Sequence, residues 1–127
     1  MRKTHKPSEL EYAILQVLWQ AGSATVREVH TTLSAGREIA YTSVLKTLQI
    51  MTEKGLVVRD ESQRAHIYES RLSEQKTQGQ LLGDLMERAF GGSPAKLVMQ
   101  ALAGKKTSQA EIDAIRAMLD HLEGAGK

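Results

Sequence analysis

IAYTSVLKTLQIMTEKG, running from Ile39 to Gly55, holds the apolar stripe, the polar face and the stop signal of one helix. Val44, Leu48 and Met51 recur at three-to-four spacing, which at about 3.6 residues per turn puts them on one side, with Leu45 at its margin. That side is expected to be buried. Tyr41 opens the run, and Thr42, Ser43, Lys46, Thr47 and Gln49 fall mostly outside the stripe, with no carboxylate before Glu53. Hydroxyls, an amide and an ammonium in this arrangement are suited to donate to phosphate oxygens and to read base edges in a major groove. Gly55 supplies the left-handed residue that ends a helix, just after a lysine that complements the negative end of its dipole.

Upstream, Ser8-Glu-Leu-Glu11 is a capping box behind Pro7, and it opens a helix whose inner stripe is Leu10, Ile14, Val17 and Leu18. Trp19 abuts that stripe and is expected to pack in the core, while Gly22 closes the helix. Thr25-Val-Arg-Glu28 is a second box, opening a shorter helix with Val26, Val29 and Leu33 apolar and Ser34-Ala-Gly36 as its end. Downstream of Gly55 the period changes. Leu56, Val57 and Val58 form a β-branched run, Arg59 to Arg64 is polar and turn-like, and Ala65 to Glu69 alternates. This predicts a two-stranded hairpin with a basic tip, which must lie against the helices because a lone hairpin is unstable in water. Three helices followed by such a ribbon make a winged helix-turn-helix, in which the third helix inserts and the wing lies along the backbone. On that reading Thr25, Thr42, Ser43, Lys46, Thr47, Gln49 and Arg64 are candidate DNA-binding residues.

The pattern changes again at Leu72-Ser73, the expected boundary between a DNA-binding domain over residues 1–72 and a helical dimerisation domain over 73–127. From Ser73 to Phe90 a helix carries Leu82, Leu85, Met86 and Ala89 as a stripe, with Leu81 and Phe90 beside it. Gly79 and Gly83 lie four apart within it, each costing about 1 kcal/mol relative to alanine. They are either tolerated or mark the close approach of another helix backbone. Gly91-Gly92 stops the helix, and Ser93-Pro94 is an N-cap with proline at the first helical position. The short helix that follows is expected to hold Leu97, Val98, Ala101 and Leu102 inside. Ser108-Gln-Ala-Glu111 is a third box, opening a last helix with Ile112, Ile115, Met118, Leu119 and Leu122, before Gly124 to Lys127 frays. So much apolar stripe cannot be hidden within about 55 residues, and an isologous dimer is the expected solution. Its interface is assigned to Leu82, Leu85, Met86, Phe90, Leu97, Ile115, Met118, Leu119 and Leu122.

Composition bounds the chemistry. The 127 residues contain no cysteine, which removes disulfides and thiolate chemistry and fits a reducing compartment. No apolar run approaches the roughly 18 residues of a membrane span, so a cytoplasmic location is expected. Net charge is only +2. Ten Lys and Arg face eight carboxylates through Leu72 and seven face seven beyond it, so the excess lies with the proposed reading head. Bulk charge alone argues weakly for nucleic acid, because phosphate attraction normally supplies most non-specific affinity. No nucleophile and base pairing, phosphate-cradling glycine loop or metal set is present, so neither an enzyme nor a bound cofactor is expected. His5, His30, His66 and His121 lack ligand spacing and are expected at the surface. Asp84 and Glu87 share a helix face without further ligands.

Leu10-Glu-x-x-Ile-Leu-x-x-Leu-Trp19, Tyr41-Thr-x-Val44 and Glu53-Lys-Gly-Leu56, with looser matches at Leu97-Val98 and Glu111-Ile112, resemble the penicillinase repressor (BlaI/MecI/CopY) family of winged-helix transcriptional regulators. The similarity covers nearly the whole chain. It implies a homodimeric repressor that occupies an operator, which the two-fold axis of the expected dimer makes palindromic, and that is inactivated through a sensor-linked protease by cleavage in the dimerisation half. The DNA-reading positions carried over are Tyr41, Thr42, Ser43, Lys46 and Gln49, with wing contact from Arg64. At the implied cleavage bond this chain has Gln100-Ala101 where the family has Asn-Phe, and the cysteine-rich tail of the copper branch is missing. Two other readings are weighed: a winged helix that docks a protein partner, and an effector-binding repressor of another family. Residue by residue a plainer reading also stands: Lys46 and Arg64 as solvated charges, Thr42 as a local cap and Tyr41 as a residue packed under the wing.

Overall fold

Ser8 and Thr25 each close a reciprocal cap. In the computed structural model, which describes residues 7–104 and 106–125, the Ser8 hydroxyl accepts from the Glu11 N–H while the Glu11 carboxylate accepts from the Ser8 N–H. Thr25 and Glu28 repeat the arrangement. These caps begin α1 (Glu9–Ala21) and α2 (Val26–Ser34), with the two-residue strand β1 (Ala24–Thr25) between them. Helix α3 (Tyr41–Lys54) ends at Gly55, whose φ of 82° is the left-handed conformation that glycine adopts without a Cβ penalty. Strands β2 (Val57–Asp60) and β3 (Ile67–Ser70) follow, then α4 (Glu74–Ala89), α5 (Pro94–Ala103) and α6 (Gln109–Ala125).

The wing is a three-stranded antiparallel sheet rather than the expected hairpin, in the order β1-β3-β2. Ala24 pairs with Tyr68 and Thr25 with Ile67, while Val57 to Asp60 pair with Ser70 to Ile67. A strand of two residues has no period to detect, so nothing in the sequence announces it. Its consequence is large, because it ties the start of α2 to the middle strand of the wing.

One core serves these elements. Ile14, Leu15, Leu18, Val29, Val44, Leu48, Met51, Val57 and Tyr68 are fully buried, and Ala13, Ala24, Val26 and Leu33 nearly so. The stripes read for α2 and α3 are the buried ones. For α1 the buried set shifts: Leu10 and Val17 are half-buried, whereas Ala13 and Leu15 go inside because α2, α3 and the wing approach from different sides. Trp19 packs against the core, and its indole N–H donates to the Ser70 hydroxyl at 3.1 Å and the Leu72 carbonyl at 3.0 Å, joining α1 to the end of the wing. Glu11 is 3% exposed and accepts from Lys54 Nζ at 3.0 Å. The lysine that sequence assigns to the α3 dipole is therefore also half of a strut from the end of α3 to the start of α1.

The chain divides into two compact units, Met1–Gly79 and Gln80–Lys127, a division that falls inside α4 rather than at Leu72-Ser73. Thr77 on the first turns of α4 is buried, which is why they belong with the first unit. The second unit lacks a core of its own among the described residues. The positions expected inside α5 are not inside: Leu97 is only half-buried, and Val98, Ala101 and Leu102 are exposed, because none of the described residues covers them. Of the proposed interface residues, Met86, Phe90, Leu97 and Ile115 are half-buried and Leu82, Leu85, Met118, Leu119 and Leu122 are exposed. A Cβ added at Gly79 or Gly83 meets nothing within 4 Å, so neither glycine serves a close approach within the chain. Gly91 and Gly92 have φ of 58° and 77° and stop α4, with Gly92 N–H donating to Met86 O. Helix α6 continues through Gly124 to Ala125, so the expected fraying does not begin there; Gly126, Lys127 and the expected surface position of His5 lie outside the described residues.

Candidate nucleic-acid interface

The exposed surface of α3 is divided in two by its own periodicity. Tyr41, Leu45 and Gln49 follow one another at intervals of four and line a concavity of about 480 Å³ between α3 and the wing. Thr25, Val26 and Arg27 from the start of α2 border it, as do Arg59, Arg64, Ala65, His66 and Tyr68 from the wing. Thr42, Ser43 and Lys46 are exposed and Thr47 half-buried, and none of the four lines this groove. The eight residues expected to bind DNA thus fall into two sets. The fold brings Thr25, Tyr41, Gln49 and Arg64 together and leaves the others along the remaining open surface of α3.

Three groups with cationic or titratable side chains were missed by sequence reasoning: Arg27, Arg59 and His66. Arg27 follows Thr25 by two residues, but only the β1-β3 pairing carries it to the wing. Arg59 lies opposite Tyr68 in the β2-β3 register, a placement that pairing alone reveals. Its guanidinium is held beside the Tyr68 hydroxyl and the Glu61 carboxylate, which raise its pKa further above the ordinary range. The Arg59–Glu61 ion pair spans 2.7 Å. The expected basic tip is therefore partly neutralised within itself. Asp60 accepts from the Ser62 N–H at 2.9 Å, which shapes the turn and holds the Asp60 carboxyl below its usual pKa.

The alternative reading of Tyr41 and the surface expectation for His30 and His66 change with the geometry. Tyr41 is 41% exposed and is not packed away under the wing, and its ring meets that of His30 edge to face with centroids 5.7 Å apart. His30, expected at the surface, is half-buried between α2 and the start of α3, and His66 is half-buried at the groove. Thr42 does not cap α3, whose N-cap is Ala40 with no side-chain hydrogen bond. Asp84 lies 3.3 Å from Arg88. Among the described residues no group of three or more His, Asp or Glu is arranged to hold a metal ion.

Comparison with known proteins agrees with this architecture. The model of the penicillinase repressor family matches residues 7–121. The chain belongs to that family. It is similar to a transcriptional regulator BlaI of Mycobacterium tuberculosis, at 34% identity over 97% of this chain and 89% of the relative. The penicillinase repressor of Staphylococcus aureus is 17% identical over 91% of each chain. Among solved structures, the DNA binding domain of the repressor BlaI superposes with a TM-score of 0.51 at 23% identity, covering 58% of this chain and 90% of that one, and it shares the winged-helix fold. Membership makes this chain a DNA-binding transcriptional repressor rather than an enzyme. Among the described residues no helix is long and apolar enough to cross a membrane.

Proposed function

We propose that the repressor acts in the cytoplasm as a homodimer on a palindromic operator, with residues 1–72 reading DNA and 73–127 holding the two copies together. The observation that carries this reading is the groove shared by α3 and the wing, where Tyr41 and Gln49 meet Thr25, Arg27, Arg59, Arg64 and His66. With α3 in the major groove, Thr42, Ser43, Lys46 and Thr47 face base edges. Gln49 and the cations of the groove then take the backbone beside them. A single head of this size engages few bases. Two heads related by a two-fold axis read half-sites about one helical turn, or a multiple, apart, and their coupling raises affinity by roughly 10²–10⁴ over one head.

The dimer reading is supported by the uncovered stripe of the second unit. Leu82, Leu85, Met118, Leu119 and Leu122 present apolar surface that a copy of the same chain can cover isologously. Release by a sensor-linked protease acting at Gln100-Ala101 is part of the same proposal. Both residues are exposed on α5, and cleavage there requires that helix to open locally, since a protease binds its substrate extended.

The test uses the purified full chain with a duplex selected from a random pool and a scrambled duplex of equal length. Sedimentation velocity is expected to give a dimer, and fluorescence anisotropy a preference of at least about 10³ for the selected, inverted-repeat duplex. A monomer that binds both duplexes alike overturns the reading. Intact-mass measurement after incubation with a candidate sensor protease checks the Gln100-Ala101 bond separately.

A further inference from the structure

The N-terminus of α3 is held differently from those of the other helices among the described residues. Ser8, Thr25, Ser73, Ser93 and Ser108 each accept a backbone N–H in the first turn of the helix they precede. Ala40 cannot, so no side chain of its own segment fixes the point where α3 begins. A residue of α2 takes that place. His30 Nε2 lies 2.8 Å from the Ile39 carbonyl oxygen and 3.1 Å from the Ser34 hydroxyl, and the His30 ring meets the Tyr41 ring at an interplanar angle of 77°.

The donor and acceptor roles follow from the chemistry of the partners. A carbonyl oxygen only accepts, so Nε2 must carry the hydrogen, and the Ser34 oxygen then accepts a share of it. One imidazole thereby grips the chain on both sides of the helix start, at Ile39 by a hydrogen bond and at Tyr41 by an edge-to-face ring contact.

We propose that His30 is a positioning residue for sequence-specific DNA recognition, setting where α3 starts and how its first turn, Tyr41-Thr42-Ser43, is presented. The proposal rests on α3 being the DNA-reading helix. Loss of the grip leaves the wing and its cations in place, so contacts to phosphates persist while the register of the first turn against base edges is relaxed. His30 thus governs discrimination between sequences, and non-specific affinity stays as it is.

Two substitutions in the full chain separate the ring from the donor. His30→Phe keeps an aromatic edge against Tyr41 and removes the hydrogen bond, and His30→Gln removes the ring and keeps an amide able to donate to Ile39. Affinity for the selected duplex is expected to fall about tenfold in His30→Phe, with affinity for the scrambled duplex unchanged and circular dichroism as in the wild type. His30→Gln is expected to restore most of the discrimination. Equal loss on both duplexes, no loss in His30→Phe, or a loss in His30→Gln as large as in His30→Phe overturns the proposal. The wild-type ring gives a reading that needs no variant: its ¹⁵N shifts are expected to report hydrogen on Nε2, and a tautomer protonated only on Nδ1 overturns the grip on Ile39. A wild-type chain that prefers no duplex overturns the DNA reading itself and this proposal with it. A discriminating wild type beside an unaffected His30→Phe overturns the role of His30 alone.

Discussion

Leu48 and Leu119 are both leucines on the apolar stripe of an amphipathic helix, yet Leu48 is completely buried and Leu119 is 55% exposed. The same contrast separates the two units. In the first, three helices and a sheet cover one another's apolar faces, and a buried tyrosine, a buried carboxylate and an indole N–H all find partners. In the second, no apolar side chain of α5 or α6 is buried among the described residues, although both helices are as well patterned as α3. Periodicity therefore specifies that a face must be covered but not by what. In the first unit the cover lies in the same chain, and in the second it is proposed to be a second copy.

That contrast can be broken at its strongest point first. Leu48→Ala is expected to cost about 2–5 kcal/mol, measured by urea denaturation, and the loss is expected to be independent of protein concentration because the site is filled within one chain. Leu119→Asp should behave in the opposite way. It is expected to give a monomer in sedimentation and to lower operator affinity by about 100-fold, in a manner that depends on protein concentration. If Leu119→Asp remains a dimer, the proposed interface is wrong and the comparison between the units fails.

Smaller changes sharpen it. Lys46→Ala is expected to cost each head about 1–3 kcal/mol on the selected duplex and little on the scrambled one. A duplex carrying a single half-site should show about half the loss of the full palindrome. Trp19→Phe removes the indole donor to Ser70 and Leu72 and is expected to lower the stability of the first unit by about 1 kcal/mol, without altering the oligomeric state. The smallest effect is that of Arg64→Ala, which should weaken all sequences alike and reduce the magnitude of the salt slope by about one in a titration of binding against salt concentration.

Much of the first unit was legible because its signals are local. Capping boxes at Ser8 and Thr25, the Val44-Leu48-Met51 stripe and the turn at Gly55 each depend on residues within a few positions of one another. The pairing of β1 with the wing was not legible, since Ala24 and Thr25 meet residues far along the chain and two residues define no period. With it went the groove, for only that pairing brings Arg27 beside Arg59, Arg64 and His66. Glu11 was readable as a cap but not as the partner of Lys54, and His30 was readable only as a histidine without ligand spacing.

By itself the sequence determined the helices and most of their boundaries, the polar face of α3 and the family, because these reside in short-range spacing and in the order of residue types. Tertiary structure decided which side chains share a surface: the splitting of the α3 face into a groove side and an open side, the partial neutralisation of the wing tip by Glu61, and the grip of His30 on the start of α3. Those depend on distances between elements, and the angle at which one buried face meets another fixes such distances in a way that no local pattern encodes.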